Sequence, residues 1–271
     1  GLGLMMMLRG GAESSGNALS AVKQNSELRN AMTLISRDLG NADKPAIGFG
    51  DITPDGTVQI TDGTGQGDQV IFTRTEQRLQ DADGAGPAPE RLTREFFAER
   101  IWFERVDWPG STPMPSDPAE KLTWQQDSTQ PRLGQVRMQI KPLTTEQMRR
   151  LDPDSDDYDR ALAAELADPT SPFWQDAPTR VLVDSAYLRP NERLFAFYQS
   201  AGVPAQPYAT NNVSLVDVNL RSLDPQRQQG RVSRGRDNQA ANETPTATLR
   251  SSVYLRKIGR RHPGNGSPVN C

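Results

Sequence analysis

Apolar residues near the start of the chain recur at a helical period. From residue 18 to 39 they occur mainly at steps of three and four, at Ala18, Ala21 or Val22, Leu28, Ala31 or Met32, Ile35 and Leu39, with Asn25 interrupting the pattern. This spacing places them on one face of a helix, with Lys23 and Arg37 largely outside that face. Gly40 and Asn41 form a stop signal, and Pro45 prevents continuation. The predicted packing face comprises Val22, Leu28, Met32, Ile35 and Leu39.

A shorter apolar stretch precedes this helix. Residues 2–8 have the sequence LGLMMML, whereas a helix that spans a bilayer needs about 20 apolar residues. We interpret the stretch as the C-terminal end of a longer apolar helix; a short buried N-terminal segment is the alternative. Gly10 and Gly11 follow it, and two glycines cost a helix about 2 kcal/mol relative to alanine. They are therefore the predicted weak point of the helix; the alternative is that two small residues allow close helix packing.

After Pro45 the apolar residues alternate with polar ones, which is typical of half-buried strands. Strands are predicted at residues 57–60, 69–75, 95–106, 133–141, 180–188, 192–200, 213–223 and 246–257, with 180–188 and 192–200 as a hairpin. The segment GTGQGD (63–68) is predicted to be a hairpin turn. Residues 107–120 contain four prolines and are predicted to be irregular.

A helical insertion is predicted at about 144–168, where Thr144 and Gln147 have the spacing of a capping box. The predicted fold class is therefore α+β: a long N-terminal helix packed on a mostly antiparallel sheet with a small helical insertion. The chain divides into the helix (1–42), a β-rich head (43–257) and a polar tail (258–271).

Composition argues against most catalytic chemistry. The chain has 271 residues, a net charge of −3, one Cys (Cys271) and one His (His262). A single His in a polar tail does not suit a Ser-His-Asp or Cys-His site, and zinc sites need clustered Cys and His. The balanced charge gives no general attraction to nucleic acid. We therefore expect neither an enzyme nor a nucleic-acid-binding protein.

An acidic segment, LDPDSDDYDR, is the one candidate for a metal site. Asp152, Asp154 and Asp156 have the alternate spacing of oxygen ligands in a calcium loop. Asp157 stands where an EF-hand has glycine, and Ala163 where it has glutamate, so the segment is not an EF-hand. The alternative is an acidic first turn that stabilises a helix through its dipole. Calcium therefore stays a secondary candidate, and no other cofactor is expected.

The N-terminal segment resembles one known family. The matching residues are Ala18-Leu19, Gln24-Asn25, Arg29, Ala31, Arg37-Asp38-Leu39 and Ala42. They are similar to the start of the soluble part of type IV minor pilins of the PilW type, and to the related J-type pseudopilins of type II secretion. The resemblance implies a pilin-like fold, with the membrane half of the helix truncated here and the amphipathic half packed on the sheet.

The same resemblance implies a structural role in initiating, assembling or capping a filament. The implied partners are other minor pilins, the major pilin and, before assembly, the inner membrane. The implied location is an inner-membrane anchor with a periplasmic head, and afterwards an extracellular pilus or a periplasmic pseudopilus. The alternative is an anchored periplasmic or secreted β-rich binding or adhesion module, with calcium as a candidate ligand. The coding sequence upstream of residue 1 would distinguish a prepilin leader from a cleavable signal peptide.

Overall fold

The computed structural model describes residues 2–44, 51–52, 58–59, 66–80, 91–107, 113–151, 155–168, 170–200, 203–204, 213–223 and 247–255. In these residues the chain forms several helices and a mostly antiparallel sheet. The general prediction of a mixed fold dominated by antiparallel strands is therefore confirmed.

The helices differ greatly in length. They are α1 (Leu2–Gly40), α2 (Pro118–Gln126), α3 (Thr145–Arg150), α4 (Arg160–Ala167) and α5 (Pro172–Gln175). In the part of the chain that the structure describes, none of them combines the length and apolar character needed to cross a membrane.

Side-chain caps explain where the short helices begin. Thr144 and Gln147 form the predicted capping box at the start of α3. The predicted helical insertion at about 144–168 contains two helices, because Asp159 caps a separate helix by accepting bonds from the first N–H groups of α4. The prediction of an irregular 107–120 segment is wrong at its end. Helix α2 begins at Pro118 after the cap Asp117, and proline is tolerated in a first turn.

The strands are β1 (Ala42–Lys44), β2 (Asp51–Ile52), β3 (Val58–Gln59), β4 (Gln66–Gly67), β5 (Gln69–Gln80), β6 (Arg91–Arg105), β7 (Arg132–Leu143), β8 (Thr179–Leu188), β9 (Phe195–Ser200), β10 (Val203–Pro204), β11 (Leu215–Ser222) and β12 (Ala247–Tyr254). Among the described residues, ten of these strands join one antiparallel sheet. Eight of them follow the order β1-β5-β6-β7-β8-β11-β9-β10, and β12 and β4 lie off this path. Strand β12 pairs with β11, β4 pairs with β9, and β2 and β3 form a separate pair.

Strand β11 is the branch point of the sheet. It pairs with β12 along its whole length, with β9 over Leu215–Val218, and with β8 at Ser222 alone. The predicted hairpin of 180–188 and 192–200 is therefore wrong. In the described residues, β8 and β9 each pair with β11 instead of with each other.

The two faces of the sheet are covered by different parts of the chain. Helix α1 packs across β8, β11 and β12, and its apolar side chains share a core with Val70 and Phe72 of β5. The intervening residue, Ile71, points to the other face and joins the core of α3, α4 and α5. This alternation along one strand produces two cores on opposite sides of the sheet.

Two neighbouring strands approach closely at Gly134 of β7. A Cβ atom at this position would overlap the backbone carbonyl of Glu104 and would come within 2.7 Å of the ring of Phe103. The strand is irregular just beyond this position, where its pairing with β8 shifts register. Glycine is therefore required here by lack of space.

Candidate functional site

The best-defined functional candidate in the structure is the interface between α1 and the sheet. Leu28, Ile35 and Leu39 are at most 1% exposed and belong to the main core, together with Ala31. Met32 is partly buried against the same core. The buried residues occur every three or four positions, so α1 presents one continuous apolar face to the sheet from residue 28 to its end.

The prediction that Val22 belongs to this face is wrong. Val22 is 68% exposed, whereas Gln24 is buried. At 100° per residue, two positions separate Val22 from Gln24 by about 200°, which places them on opposite sides of the helix. Residue 21 lies seven positions before Leu28, a step of three plus a step of four, whereas Val22 lies six positions before it; the packing uses residue 21, which is half-buried.

Two polar residues of α1 also contact the sheet. The carboxylate of Glu27 accepts a 2.6 Å hydrogen bond from the backbone N–H of Asp184 in β8. Asp38, near the C-terminal end of the helix, is only 1% exposed and lies beside Glu99 of β6. These contacts fix α1 to the sheet at two separate points.

Asp38 belongs to a buried group of charges with Arg74 and Glu99. The Nε atom of Arg74 donates to Oε2 of Glu99 at 2.6 Å, and Arg74 also pairs with the half-exposed Glu76. Asp38 Oδ2 and Glu99 Oε1 are both buried and find no donor in the described part of the chain. A proton held between these two carboxyl groups would satisfy both oxygens at once.

The electrostatics favour that proton. Burial raises the pKa of Glu99 to about 8, and the charge of Asp38 adds to this effect, while Arg74 opposes it. Arg37 pairs with Asp38 at 2.6 Å and Arg74 pairs with Glu99, but two adjacent carboxylates do not both ionise easily in a buried site. We therefore treat Glu99 as protonated at neutral pH, with its proton directed to Asp38.

A second buried group of charges is centred on Asp68. Its carboxylate binds Arg132 and Arg193 and accepts a 3.1 Å bond from the backbone N–H of Leu194. Burial alone would raise the pKa of Asp68, but the two arginines outweigh it and hold the pKa below its usual value. Because Asp68 follows β4, Arg132 begins β7 and Arg193 precedes β9, one side chain ties together three distant parts of the sheet.

A bidentate ion pair continues this network. Arg221 of β11 donates to both carboxylate oxygens of Glu192, with its shortest contact at 2.7 Å. The backbone carbonyl of Glu192 accepts a 2.7 Å bond from Arg132. The network therefore connects the branch strand β11 to the Asp68 group.

The calcium candidates stay a prediction. Asp156 is exposed in the turn after α3, and Asp152 and Asp154 lie outside the described residues. Two of the described acidic neighbours have other partners, since Asp157 pairs with Arg149 and Asp159 pairs with Arg150. No group of three or more His, Cys, Asp or Glu residues suited to a metal ion is found in the described part of the chain.

The predicted weak point at Gly10 and Gly11 also stays a prediction. The backbone of α1 is helical through both residues, so a break is not part of this conformation.

Sequence analysis missed the two buried charge groups. Asp68 ends the segment that was predicted to be a hairpin turn, but Gln66 and Gly67 form β4 beside β9. The sequence contained a weak signal for Glu99. It lies two and four positions before Ile101 and Phe103, so all three side chains point to the same, buried side of β6. A charge at an inward position of a strand indicates a buried partner, although not which one.

Comparison of the chain with known protein families, with characterised proteins and with solved structures finds no match.

Proposed function

We propose that this protein is a structural subunit of a type IV pilus or a related secretion filament, most similar to a PilW-type minor pilin. In this proposal the apolar N-terminal part of α1 packs among the helices of neighbouring subunits, and the head contacts other minor pilins and the major pilin. Before assembly, the same helix would hold the subunit at the inner membrane. The function is assembly, and no catalytic step is involved.

The observation that supports the proposal most directly is that the two ends of α1 differ in character. Its C-terminal part, from Gln24 to Leu39, is packed along one side on an antiparallel sheet. The apolar residues 2–8 occupy the opposite end of the same helix. A helix whose one end is attached to its own domain and whose other end is apolar has the chemistry that a filament core requires.

The side of α1 that faces away from the sheet is mostly polar over residues 21–40, whose exposure is described. Lys23, Arg29, Asn30 and Thr33 are exposed, and Val22 is the exposed large apolar residue among them. Such a face does not bury itself in lipid, but it suits contacts with polar surfaces of neighbouring subunits. We therefore place the subunit–subunit contacts of this region along the Val22 side of the helix.

Photo-cross-linking in the organism that carries the gene tests the proposal. A photoreactive amino acid at position 22 is expected to form adducts with other filament subunits, and these adducts should disappear when the major pilin gene is deleted. The control position is Met114, which is 44% exposed on the head and outside α1. Its adducts should not follow the same pattern.

Deletion of the gene provides the second measurement. We expect fewer surface filaments by electron microscopy, or reduced export by a type II system, with recovery from a plasmid copy. Normal filaments and export, together with position 22 adducts that contain no filament subunit, would contradict the proposal.

A further inference from the structure

A cavity of about 390 Å³ lies on the face of the sheet opposite α1, between β5, β6 and α2. This volume falls within the range of small-molecule sites in proteins, about 300–1,000 Å³. The residues that define its chemistry are Gln69, Arg100 and Trp102 from the sheet and Lys121, Leu122 and Gln126 from α2. Neither the α1 interface nor the proposed filament contacts use it.

The cavity contains buried hydrogen-bond donors that lack acceptors. The Oε1 atom of Gln69 accepts a 2.9 Å bond from Nε of Arg100. Because the arginine can only donate, this bond fixes the orientation of the amide and leaves Nε2 as a donor. That Nε2 atom and Nε2 of Gln126 are both buried without a partner in the described part of the chain. Gln69 itself is only 4% exposed.

The two carboxylates that line the same cavity are already engaged. Asp68 binds two arginines, as described above, and Glu104 forms a 2.8 Å ion pair with Arg137. The amide oxygen of Gln69 is occupied by Arg100. The cavity therefore offers donors and positive charge to a ligand, while its negative groups are neutralised by side chains outside its lining.

Beside these donors, the cavity is lined by a guanidinium group that lies over an indole ring. The guanidinium of Arg100 lies 4.2 Å from the ring centroid of Trp102 and is 8% exposed. Burial lowers the pKa of Arg100 to about 10, so a nearby anion would stabilise its charged form. Leu122 and Phe103 also line the cavity.

We propose that this cavity binds a small organic acid, whose carboxylate meets Arg100 and the amides of Gln69 and Gln126 and whose apolar part lies against Trp102. Carboxylates pair with arginine and amide donors through charge-assisted hydrogen bonds. An apolar part of moderate size would occupy the remaining volume beside the indole and Leu122. The ligand class is therefore an aryl or short acyl carboxylate.

Titration of the full chain with phenylacetate, and with phenylacetamide as the neutral analogue, tests this inference by calorimetry and ligand-observed NMR at neutral pH. We expect saturable binding of the acid, about fivefold or more tighter than that of the amide, because only the acid carries the charge that Arg100 complements.

The decisive variant is Gln69→Glu. It keeps the oxygen that accepts from Arg100, but it removes the free amide donor and places a negative charge beside the ligand. The fold should survive, since Arg100 gains a charged partner, and affinity for phenylacetate should fall about tenfold or more. The matched control is Gln175→Glu, which makes the same charge change at an exposed position of α5 outside the cavity lining.

Three results would overturn the inference. They are the absence of saturable phenylacetate binding to the natural chain, equal affinity for the acid and the amide, and unchanged affinity in a folded Gln69→Glu variant. Circular dichroism of each variant confirms that it is folded. Because none of these measurements involves filaments, their outcome is independent of the proposed function.

Discussion

Replacement of Glu99 by glutamine should remove a pH-dependent cost from the α1 interface. In the natural chain, Glu99 lies between Arg74 and Asp38, and burial raises its pKa from 4.5 to about 8. Glutamine has the same shape as the protonated acid. Its oxygen accepts from Arg74, and its amide donates to Asp38. The variant therefore keeps the contacts of the protonated state and removes the ionisation.

The size of the effect follows from the two pKa values. An acid whose pKa is higher in the folded state binds its proton more tightly there, so the free energy of unfolding falls as pH rises above 4.5 and levels off above about 8. At 1.36 kcal/mol per pKa unit, the loss between pH 4.5 and 7 is on the order of 3 kcal/mol. The Glu99→Gln variant should be more stable than the natural chain at neutral pH by an amount of this order.

Urea unfolding at a series of pH values measures this directly. The natural chain should lose stability between about pH 5 and 8, and Glu99→Gln should flatten that part of the profile. The control is Glu76→Gln, because Glu76 binds the same arginine but is 36% exposed. An exposed pair contributes at most about 1 kcal/mol, so its profile should keep the natural slope. A natural profile that is flat over this range, or a Glu99→Gln variant with the natural slope, would refute the shared-proton argument.

Four further substitutions test other parts of the structure. Leu28→Ala should lower the free energy of unfolding by about 2–5 kcal/mol, and Val22→Ala by less than about 0.5 kcal/mol; equal losses would show that the buried face of α1 is misplaced. Gly134→Ala should cost about 1–3 kcal/mol in thermal unfolding, because its methyl group meets the backbone of Glu104; an unchanged melting temperature would exclude the close approach. Asp68→Asn should cost about 3–5 kcal/mol at neutral pH. The natural chain should also lose stability as pH falls through the lowered pKa of Asp68. An Asp68→Asn variant that loses the same amount of stability over this acidic range would count against the central role of Asp68.

Regular patterns made the individual elements predictable. Local alternation located most strands to within a few residues, for example 133–141 against Arg132–Leu143 for β7. The order of the strands was not predictable in the same way. Strand β11 contacts β12, β9 and β8 at different points along its length, and such contacts between distant segments leave no periodic signal in the sequence.

The buried charges escaped prediction for a related reason. Asp68 follows a glycine-rich segment whose composition is typical of a turn, and only the positions of Arg132 and Arg193 make it a central buried residue. The paired carboxyl groups of Asp38 and Glu99 come from a helix and a strand that are 61 positions apart in the printed sequence. Partner identity in a buried polar group depends on tertiary structure, which one sequence does not report.

Polar contacts at two points give α1 a fixed position that its apolar face alone would not provide. Glu27 binds β8, and Asp38 meets Glu99 of β6, about 16 Å further along the helix at 1.5 Å per residue. A slip of one turn would preserve much of the apolar packing, but it would place Leu34 where Asp38 now lies. Glu99 would then lose the acceptor of its proton, and a buried polar group that lacks its hydrogen bond is unfavourable. In the proposed filament the helix sets the position of each subunit, so a head that cannot slide along α1 transmits that position to its neighbours.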